Sequence, residues 1–196
     1  MTLANKITIS RMLIIPIMIV IISIPALENI VSIEQFNLSL AQFIFAVLFI
    51  VAASTDFLDG YFARKRNEIT TFGKFLDPIA DKMLVVVAFI YLVFKGDCDV
   101  WVLSVIILRE FMVSGIRLLA VGKSEVIAAS IWGKIKTFSS IIVLIFLLFN
   151  QFGTNVYFGN EYFNLGRLLT WVVALITLIS GIDYFIKSRK IIFESI

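Results

Sequence analysis

Long apolar segments most strongly constrain what this chain can fold into. Six of them approach the ~20 residues that a helix needs to cross a bilayer, and they cover residues 12–27, 40–62, 75–94, 100–121, 137–152 and 165–186. Hydrophobic residues make up 60% of the chain and charged residues 16%, whereas a soluble domain carries about 25% charged residues. The sequence therefore predicts an all-α polytopic membrane protein. Its six transmembrane helices form one bundle domain over residues 1–196.

The distribution of basic residues predicts how these spans are oriented. Lys and Arg concentrate before the first span, between spans two and three, between four and five, and after six. The opposite loops contain acidic residues, with only Lys95 and Arg167 as basic ones. Since cytoplasmic loops are enriched in Lys and Arg, both termini are predicted to be cytoplasmic, in a multi-pass protein of the cell membrane. The mixed segment 1–11 predicts a short N-terminal interfacial helix.

Composition excludes several kinds of chemistry. The chain has no histidine and one cysteine, Cys98. Histidine catalysis, histidine metal ligands, intrachain disulfides and cysteine metal clusters are therefore excluded. The net charge of +3 needs no nucleic-acid partner, because basic residues at membrane edges account for it.

Four aspartates stand out against this apolar background. The stretch reads Asp56-x2-Asp59-Gly60-x2-Ala63-Arg64-x8-Gly73-x3-Asp77-x3-Asp81. Its spacings are helical, so each half places two carboxylates near one helix face. We expect two helices joined by a short loop, with the two pairs turned toward each other. Clustered carboxylates resist ionising together unless cations lie between them, and hard oxygen ligands suit Mg²⁺ or Mn²⁺.

This stretch resembles the signature of the CDP-alcohol phosphatidyltransferases at all eight fixed positions. The resemblance implies transfer of a phosphatidyl group from CDP-diacylglycerol to a small alcohol, with release of CMP, in a homodimer. It implies two divalent cations, Mg²⁺ or Mn²⁺, with Asp81 also acting as the general base. The implied metal ligands are Asp56, Asp59, Asp77 and Asp81. The implied CDP-diacylglycerol site comprises Gly60, Ala63, Arg64, Thr70 and Gly73, together with Asn5 and Thr8 of the segment Asn5-x2-Thr8-x2-Arg11.

A second group of charges lies in and beside the fourth and fifth spans. Arg109 and Glu110 fall near the middle of the fourth span, where charges are costly and should face the protein interior. They form either a buried ion pair that fixes helix packing or a polar pocket. The stretch from Arg109 to Thr137 resembles the phosphatidylglycerophosphate synthase branch of the family. This resemblance and the excess positive charge predict glycerol 3-phosphate as the acceptor. The predicted phosphate-binding residues are Arg109, Arg117, Lys134 and Lys136.

Other functions fit parts of the pattern. Inositol phosphate, serine or phosphatidylglycerol are alternative acceptors, although the basic residues favour a phosphorylated one over serine. A polyprenyl transferase also uses aspartate-rich magnesium sites, but its clusters lack the continuation through Gly60, Ala63 and Arg64. A divalent-cation transporter would need acidic residues at mid-bilayer on several spans. The four aspartates instead crowd one predicted membrane edge, which favours a site that faces the cytosol.

Overall fold

The fold is predominantly helical, as predicted. The computed structural model describes residues 3–33, 38–66, 71–122, 130–149, 155–158 and 161–193. Within these residues, six helices of 19 to 27 residues coincide with the six apolar segments, and two shorter helices accompany them. The helices are α1 (Leu3–Ile22), α2 (Pro25–Glu28), α3 (Leu40–Arg66), α4 (Thr71–Lys95), α5 (Val100–Gly122), α6 (Ile131–Phe149), α7 (Leu165–Lys187) and α8 (Arg189–Phe193).

The N-terminal segment differs from the prediction of a separate interfacial helix. Helix α1 runs without interruption from Leu3 to Ile22, and Pro16 lies inside it. A proline removes one backbone hydrogen bond, and helices in membrane proteins tolerate this where neighbouring groups satisfy the freed carbonyl. The polar start therefore extends the first apolar helix. The next proline, Pro25, begins α2, a position where its missing N–H costs little.

Two connecting segments form short antiparallel hairpins rather than irregular loops. Strands β1 (Val31–Ile33) and β2 (Leu38–Ser39) pair before α3. Strands β3 (Asn155–Phe158) and β4 (Glu161–Asn164) pair before α7, with Val156 opposite Phe163. Aromatic and β-branched residues favour extended pairing. A prediction based on helical periodicity does not detect such strand pairing.

By packing, the chain divides into two compact units. The first unit comprises Met1–Tyr91 and Ile145–Gly153, and the second comprises Leu92–Leu144 and Thr154–Ile196. The prediction of a single domain stays a prediction. In the first unit, the rings of Phe45 and Tyr91 lie 4.6 Å apart. The buried Gln42 amide donates to the Leu148 carbonyl at 2.7 Å, which satisfies one backbone group near the end of α6.

In the second unit, the polar and apolar faces of α7 are arranged in the opposite way to those of a helix on the surface of a soluble protein. Its buried face contains small and hydroxyl-bearing residues, including Thr170, Thr177 and Ser180, each with 0% exposure. Its exposed face is apolar, with Leu175 57% and Ile182 59% exposed. Small residues at helix contacts and apolar residues outward are typical of helices that pack within lipid.

Two of the described helices, Ile131–Phe149 and Leu165–Lys187, are long and apolar enough to cross a membrane. Shorter apolar stretches lie within α1, at Thr8–Ile22, and within α3, at Leu40–Thr55. The apolar outer face of α7 needs a nonaqueous environment, because large exposed apolar patches are rare on soluble monomers. The structure therefore supports association with a membrane.

Candidate active site

The acidic motif falls on the end of one helix and the start of the next. Asp56, Asp59, Gly60, Ala63 and Arg64 lie in the last turns of α3. Gly73, Asp77 and Asp81 lie in the first turns of α4, and Thr70 lies outside the described residues. The two helices predicted for this motif are thus present. At their spacings, each aspartate pair lies near one side of its helix.

Only part of this motif is described at the level of side chains. Asp81 is described, whereas the side chains of the other motif residues lie outside the described part of the chain, as does that of Asn5 in α1. Whether the two carboxylate pairs face each other therefore stays a prediction.

Asp81 pairs with a buried arginine from α1. The Nη1 atom of Arg11 donates to Oδ1 of Asp81 at 2.5 Å. The Arg11 side chain is 1% exposed and that of Asp81 is 42% exposed. The guanidinium of this pair is thus enclosed by protein, whereas the carboxylate is partly exposed.

Sequence reasoning did not assign Arg11 to the site, although it noted Arg11 as the last residue of the segment Asn5-x2-Thr8-x2-Arg11. Thr8, which was assigned to the CDP-diacylglycerol site, is 1% exposed and lies one turn before Arg11 on the same helix. The helical spacing of Thr8 and Arg11 was visible in the sequence. The contact between Arg11 and Asp81 was not, because it joins residues 70 positions apart.

The second group of predicted site residues forms a buried cluster of charges within the second unit. Oε1 of Glu110 accepts a hydrogen bond from Nη1 of Arg109 at 3.0 Å and another from Nζ of Lys136 at 2.5 Å. The side chains of Arg109, Glu110 and Lys136 are 11%, 14% and 6% exposed. The predicted ion pair is therefore present, and a second cation shares its carboxylate. We call these three residues the basic cluster; its formal charge is +1.

Lys136 reaches this cluster because α6 begins earlier than predicted. The fifth apolar segment was expected to start at residue 137, but α6 starts at Ile131. The Oγ of Ser130 accepts a hydrogen bond from the Gly133 N–H at 3.1 Å, as an N-cap residue does. Lys136 thus lies on the second turn of a helix, where the backbone fixes its direction.

Ser180 of α7 completes the surroundings of Arg109. Its hydroxyl oxygen accepts a hydrogen bond from Nη2 of Arg109 at 2.8 Å. A Cβ atom on Gly181 would lie 3.3 Å from Cγ of Arg109, so α7 approaches Arg109 closely because residue 181 has no side chain. Sequence reasoning missed Ser180, and the only available signal was a Ser–Gly pair inside an apolar segment.

Arg117 and Lys134, the other two predicted phosphate-binding residues, lie apart from these contacts. Nε of Arg117 donates to the Tyr184 hydroxyl at 3.2 Å, and its guanidinium carbon lies 5.8 Å from the centre of the Tyr184 ring. Tyr184 is 2% exposed, so it provides a fixed support for Arg117. Lys134 lies in the first turns of α6 with its side chain exposed. The structure thus brings together two of the four predicted residues.

Comparison with known proteins identifies the family. The family model described as CDP-alcohol phosphatidyltransferase matches residues 1–182. The chain belongs to the CDP-alcohol phosphatidyltransferase family. The resemblance inferred from the eight fixed residues of the acidic motif is therefore confirmed.

Individual relatives are similar over nearly their whole length. A Bacillus subtilis protein is 43% identical over 186 residues, which cover 95% of this chain and 94% of the relative. A Rickettsia bellii protein is 40% identical over 189 residues, which cover 96% of both. A Rickettsia felis protein is 37% identical over 189 residues with the same coverage. All three are named CDP-diacylglycerol–glycerol-3-phosphate 3-phosphatidyltransferase.

Proposed function

We propose that this chain is a membrane transferase of phospholipid biosynthesis. It transfers the phosphatidyl group of CDP-diacylglycerol to glycerol 3-phosphate and releases CMP. The observation that carries this proposal is the similarity, over almost the whole chain, to enzymes named for that reaction. The complete acidic motif and the basic cluster with one excess positive charge support the same assignment.

The proposed reaction is a direct displacement at phosphorus. An acceptor hydroxyl oxygen forms a bond to the phosphorus that carries diacylglycerol, and the bond from that phosphorus to the CMP oxygen breaks. The acceptor proton goes to Asp81, which acts as general base. Arg11 fixes the direction of the Asp81 carboxylate, because a buried guanidinium holds one of its oxygens.

The donor atoms of the motif fit a pair of divalent cations. Four aspartates supply only oxygen ligands, which Mg²⁺ and Mn²⁺ prefer, and α3 and α4 each place two of them near one side. Arg11 pairs with the Asp81 carboxylate, and clustered carboxylates resist ionising together unless cations lie between them. Members of this family generally use divalent cations. When bound, two such ions neutralise charge on the diphosphate; the residues that would hold them are Asp56, Asp59, Asp77 and Asp81.

The CDP-diacylglycerol site is proposed around the same helix ends. Gly60, Ala63 and Gly73 have little or no side chain, so a nucleotide can approach their helices closely. Arg64 would supply a charge-assisted contact to phosphate, and Thr70 would complete the pocket. Asn5 and Thr8 would contribute from α1, where Thr8 is buried one turn before Arg11.

The acceptor's phosphate is proposed to bind at the basic cluster, with Arg117 and Lys134 contributing from the same unit. Arg109 and Lys136 converge on one carboxylate, so two cationic side chains lie together where they would meet an anionic ligand. Within the part of the chain that the structure describes, the buried Nε of Arg109 also has no hydrogen-bond partner. A phosphate oxygen would accept a charge-assisted hydrogen bond from a donor of this kind, and both partners of that bond would be ionised, unlike in a bond to a neutral alcohol.

The proposed arrangement in the membrane has six spans with both termini in the cytoplasm. The proposed spans are the six long helices α1, α3, α4, α5, α6 and α7, and the positions of Lys and Arg in the sequence support the proposed orientation. The aspartates then lie at the cytoplasmic edge, where CDP-linked metabolites occur. A homodimer is proposed from the family resemblance.

The test of this function is release of CMP by the purified chain. The protein is supplied with CDP-diacylglycerol and, separately, with glycerol 3-phosphate, glycerol, serine, inositol phosphate or phosphatidylglycerol. We expect turnover with glycerol 3-phosphate and little with unphosphorylated glycerol. Efficient use of glycerol would remove the phosphate site from the account. Preference for inositol phosphate would keep that site and assign the chain to another branch of the family.

Removal of divalent cations tests the proposed metal site. Excess chelator should abolish CMP release, and Mg²⁺ or Mn²⁺ added back should restore it, because four carboxylates cannot bind a diphosphate without intervening cations. Binding of Mn²⁺ to the substrate-free protein, followed by electron paramagnetic resonance, gives a readout that does not depend on turnover. Full activity in excess chelator would contradict the proposal.

A further inference from the structure

Glu110 places a negative charge inside a cluster that is proposed to bind a phosphate. Its Oε1 atom accepts hydrogen bonds from Nη1 of Arg109 and Nζ of Lys136. Carboxylate and phosphate oxygens are equivalent acceptors for guanidinium and ammonium donors, and both form charge-assisted hydrogen bonds with them. The Glu110 carboxylate therefore occupies, in this structure, donors that an incoming phosphate would use.

We propose that Glu110 is an internal counter-ion that competes with phosphate for Arg109 and Lys136 and so sets how tightly this site holds its acceptor. This inference rests on the proposed function, since it assigns the acceptor's phosphate to the basic cluster. It adds a role for Glu110 as a specificity-determining residue.

Burial explains why the cluster contains a carboxylate at all. Arg109 is 11% exposed and Lys136 is 6% exposed. Two buried cations without an anion would be strongly destabilising, because neither has enough water to compensate its charge. Glu110 supplies that anion while no acceptor is bound. The same carboxylate repels a phosphate dianion, so it weakens binding and favours exchange of the phosphate-bearing ligand.

Gly133 of α6 lies against the flank of Arg109. A Cβ atom at Gly133 would lie 3.5 Å from Nη2 of Arg109 and 4.0 Å from the Ser180 hydroxyl oxygen. Any side chain at this position would occupy space beside the guanidinium. The buried Nε of the same arginine lacks a hydrogen-bond partner among the described residues. Arg109 therefore has one donor, Nε, beyond those that Glu110 and Ser180 use.

The test compares phosphate binding in the wild type and in Glu110→Gln, which removes the charge and keeps the shape. Thermal unfolding of the purified full chain in detergent is followed while inorganic phosphate or glycerol 3-phosphate is titrated, with CDP-diacylglycerol absent. Both ligands should stabilise the variant at about tenfold lower concentration than the wild type, because one competing charge-assisted contact has been removed. Unchanged or weaker phosphate binding in Glu110→Gln would overturn the inference, and a purely structural role for Glu110 would give that result.

Two further variants control the comparison. Asp99→Asn makes the same change of charge just before α5, where Asp99 accepts a hydrogen bond from the Trp171 indole at 2.8 Å. The phosphate affinity of Asp99→Asn should stay within about twofold of that of the wild type. If Asp99→Asn instead gains as much phosphate affinity as Glu110→Gln, the gain reflects the net charge of the protein, and the inference is overturned. If Glu110→Gln does not fold, Glu110→Asp keeps the charge and withdraws it by one methylene. Phosphate binding that is a few-fold tighter supports competition, and unchanged or weaker binding refutes it.

Failure of this inference is distinguishable from failure of the proposed function. If the wild type releases CMP with another alcohol while Glu110→Gln still binds inorganic phosphate more tightly, the acceptor assignment fails and the counter-ion role stands. If turnover with glycerol 3-phosphate is normal and phosphate binding by Glu110→Gln is unchanged, only the counter-ion role fails.

Discussion

The acidic region around Asp81 and the basic cluster around Glu110 balance their charges in opposite ways. In the acidic region, the counter-charge Arg11 is 1% exposed and the Asp81 carboxylate, which is proposed as the general base, is 42% exposed. In the basic cluster, the counter-charge Glu110 and both of its cations are all less than 15% exposed. The acidic region places a partly exposed carboxylate on a buried cation, whereas the basic cluster places a carboxylate between two cations that are themselves largely buried. Substitutions should therefore have larger effects on chemistry in the first region and smaller effects on binding in the second.

The largest effect is expected from Asp81→Asn. This change keeps the shape of the side chain but removes the proposed base, so kcat should fall by about 10²–10⁴-fold. Affinity for CDP-diacylglycerol should change much less, which equilibrium binding measures separately from CMP release. Asp99→Asn is the matched control and should retain activity. A near-wild-type rate in Asp81→Asn would show that Asp81 is not the base.

A smaller loss is expected from Arg11→Gln. Without the guanidinium, Asp81 loses the contact that fixes its direction, and kcat should fall by about 10–100-fold, as for other residues that orient a functional side chain. KM for glycerol 3-phosphate should change little. Arg11→Lys keeps a positive charge and should retain more activity than Arg11→Gln. If both variants keep kcat within twofold of the wild type, Asp81 needs no support from α1.

Substitutions of the two basic residues outside the basic cluster should mainly affect binding of the acceptor. Arg117→Ala and Lys134→Ala should each raise the KM for glycerol 3-phosphate, by about tenfold where a charge-assisted contact to phosphate is lost. The effect at Lys134 should be the smaller, because this exposed lysine is screened by solvent. Kinetics are measured at saturating CDP-diacylglycerol. Unchanged acceptor kinetics in both variants would exclude these two residues from the site.

The smallest effect is expected at Cys98, which belongs to neither region. Burial raises the pKa of its thiol from 9.0 to about 11, and the neighbouring Asp99 and Asp97 carboxylates add to this rise. The thiol should therefore resist alkylation near neutral pH, and Cys98→Ala should leave CMP release within about twofold of the wild type.

The same shift predicts a dependence of stability on pH. Because the folded pKa exceeds the ordinary value, the contribution of Cys98 to stability is constant below about pH 8 and declines as the pH rises from 9 to 11. Thermal unfolding of the wild type and Cys98→Ala across this range measures the difference. Rapid alkylation of the folded protein at pH 7 would contradict the assigned burial.

The features that depend on the periodicity of residues along a single helix were predictable from the sequence. Runs of apolar residues located the six long helices, and the spacing of Asp56, Asp59, Asp77 and Asp81 placed them at the adjoining ends of α3 and α4. The predicted helix boundaries were less accurate where a capping residue determines the start of a helix, as Ser130 does for α6.

Contacts between distant residues were not predictable in the same way. Arg11 meets Asp81 across 70 positions, Arg109 meets Ser180 across 71, and Arg117 meets Tyr184 across 67. Helical spacing identifies neighbours on one helix only, whereas these pairs depend on how separate helices pack. The excess positive charge near the fourth span was visible in the sequence, but the sharing of Glu110 by Arg109 and Lys136 was not.

The most direct test of the account measures binding of both substrates to two variants, one from each region. Equilibrium binding of CDP-diacylglycerol with Mg²⁺, and of glycerol 3-phosphate, is measured for Asp56→Asn and for Lys136→Gln. The account predicts a crossed pattern. Asp56→Asn should weaken CDP-diacylglycerol binding by about tenfold or more and leave glycerol 3-phosphate within about twofold, and Lys136→Gln should do the reverse. Equal weakening of both ligands by each variant would contradict the assignment of the two substrates to two oppositely charged regions.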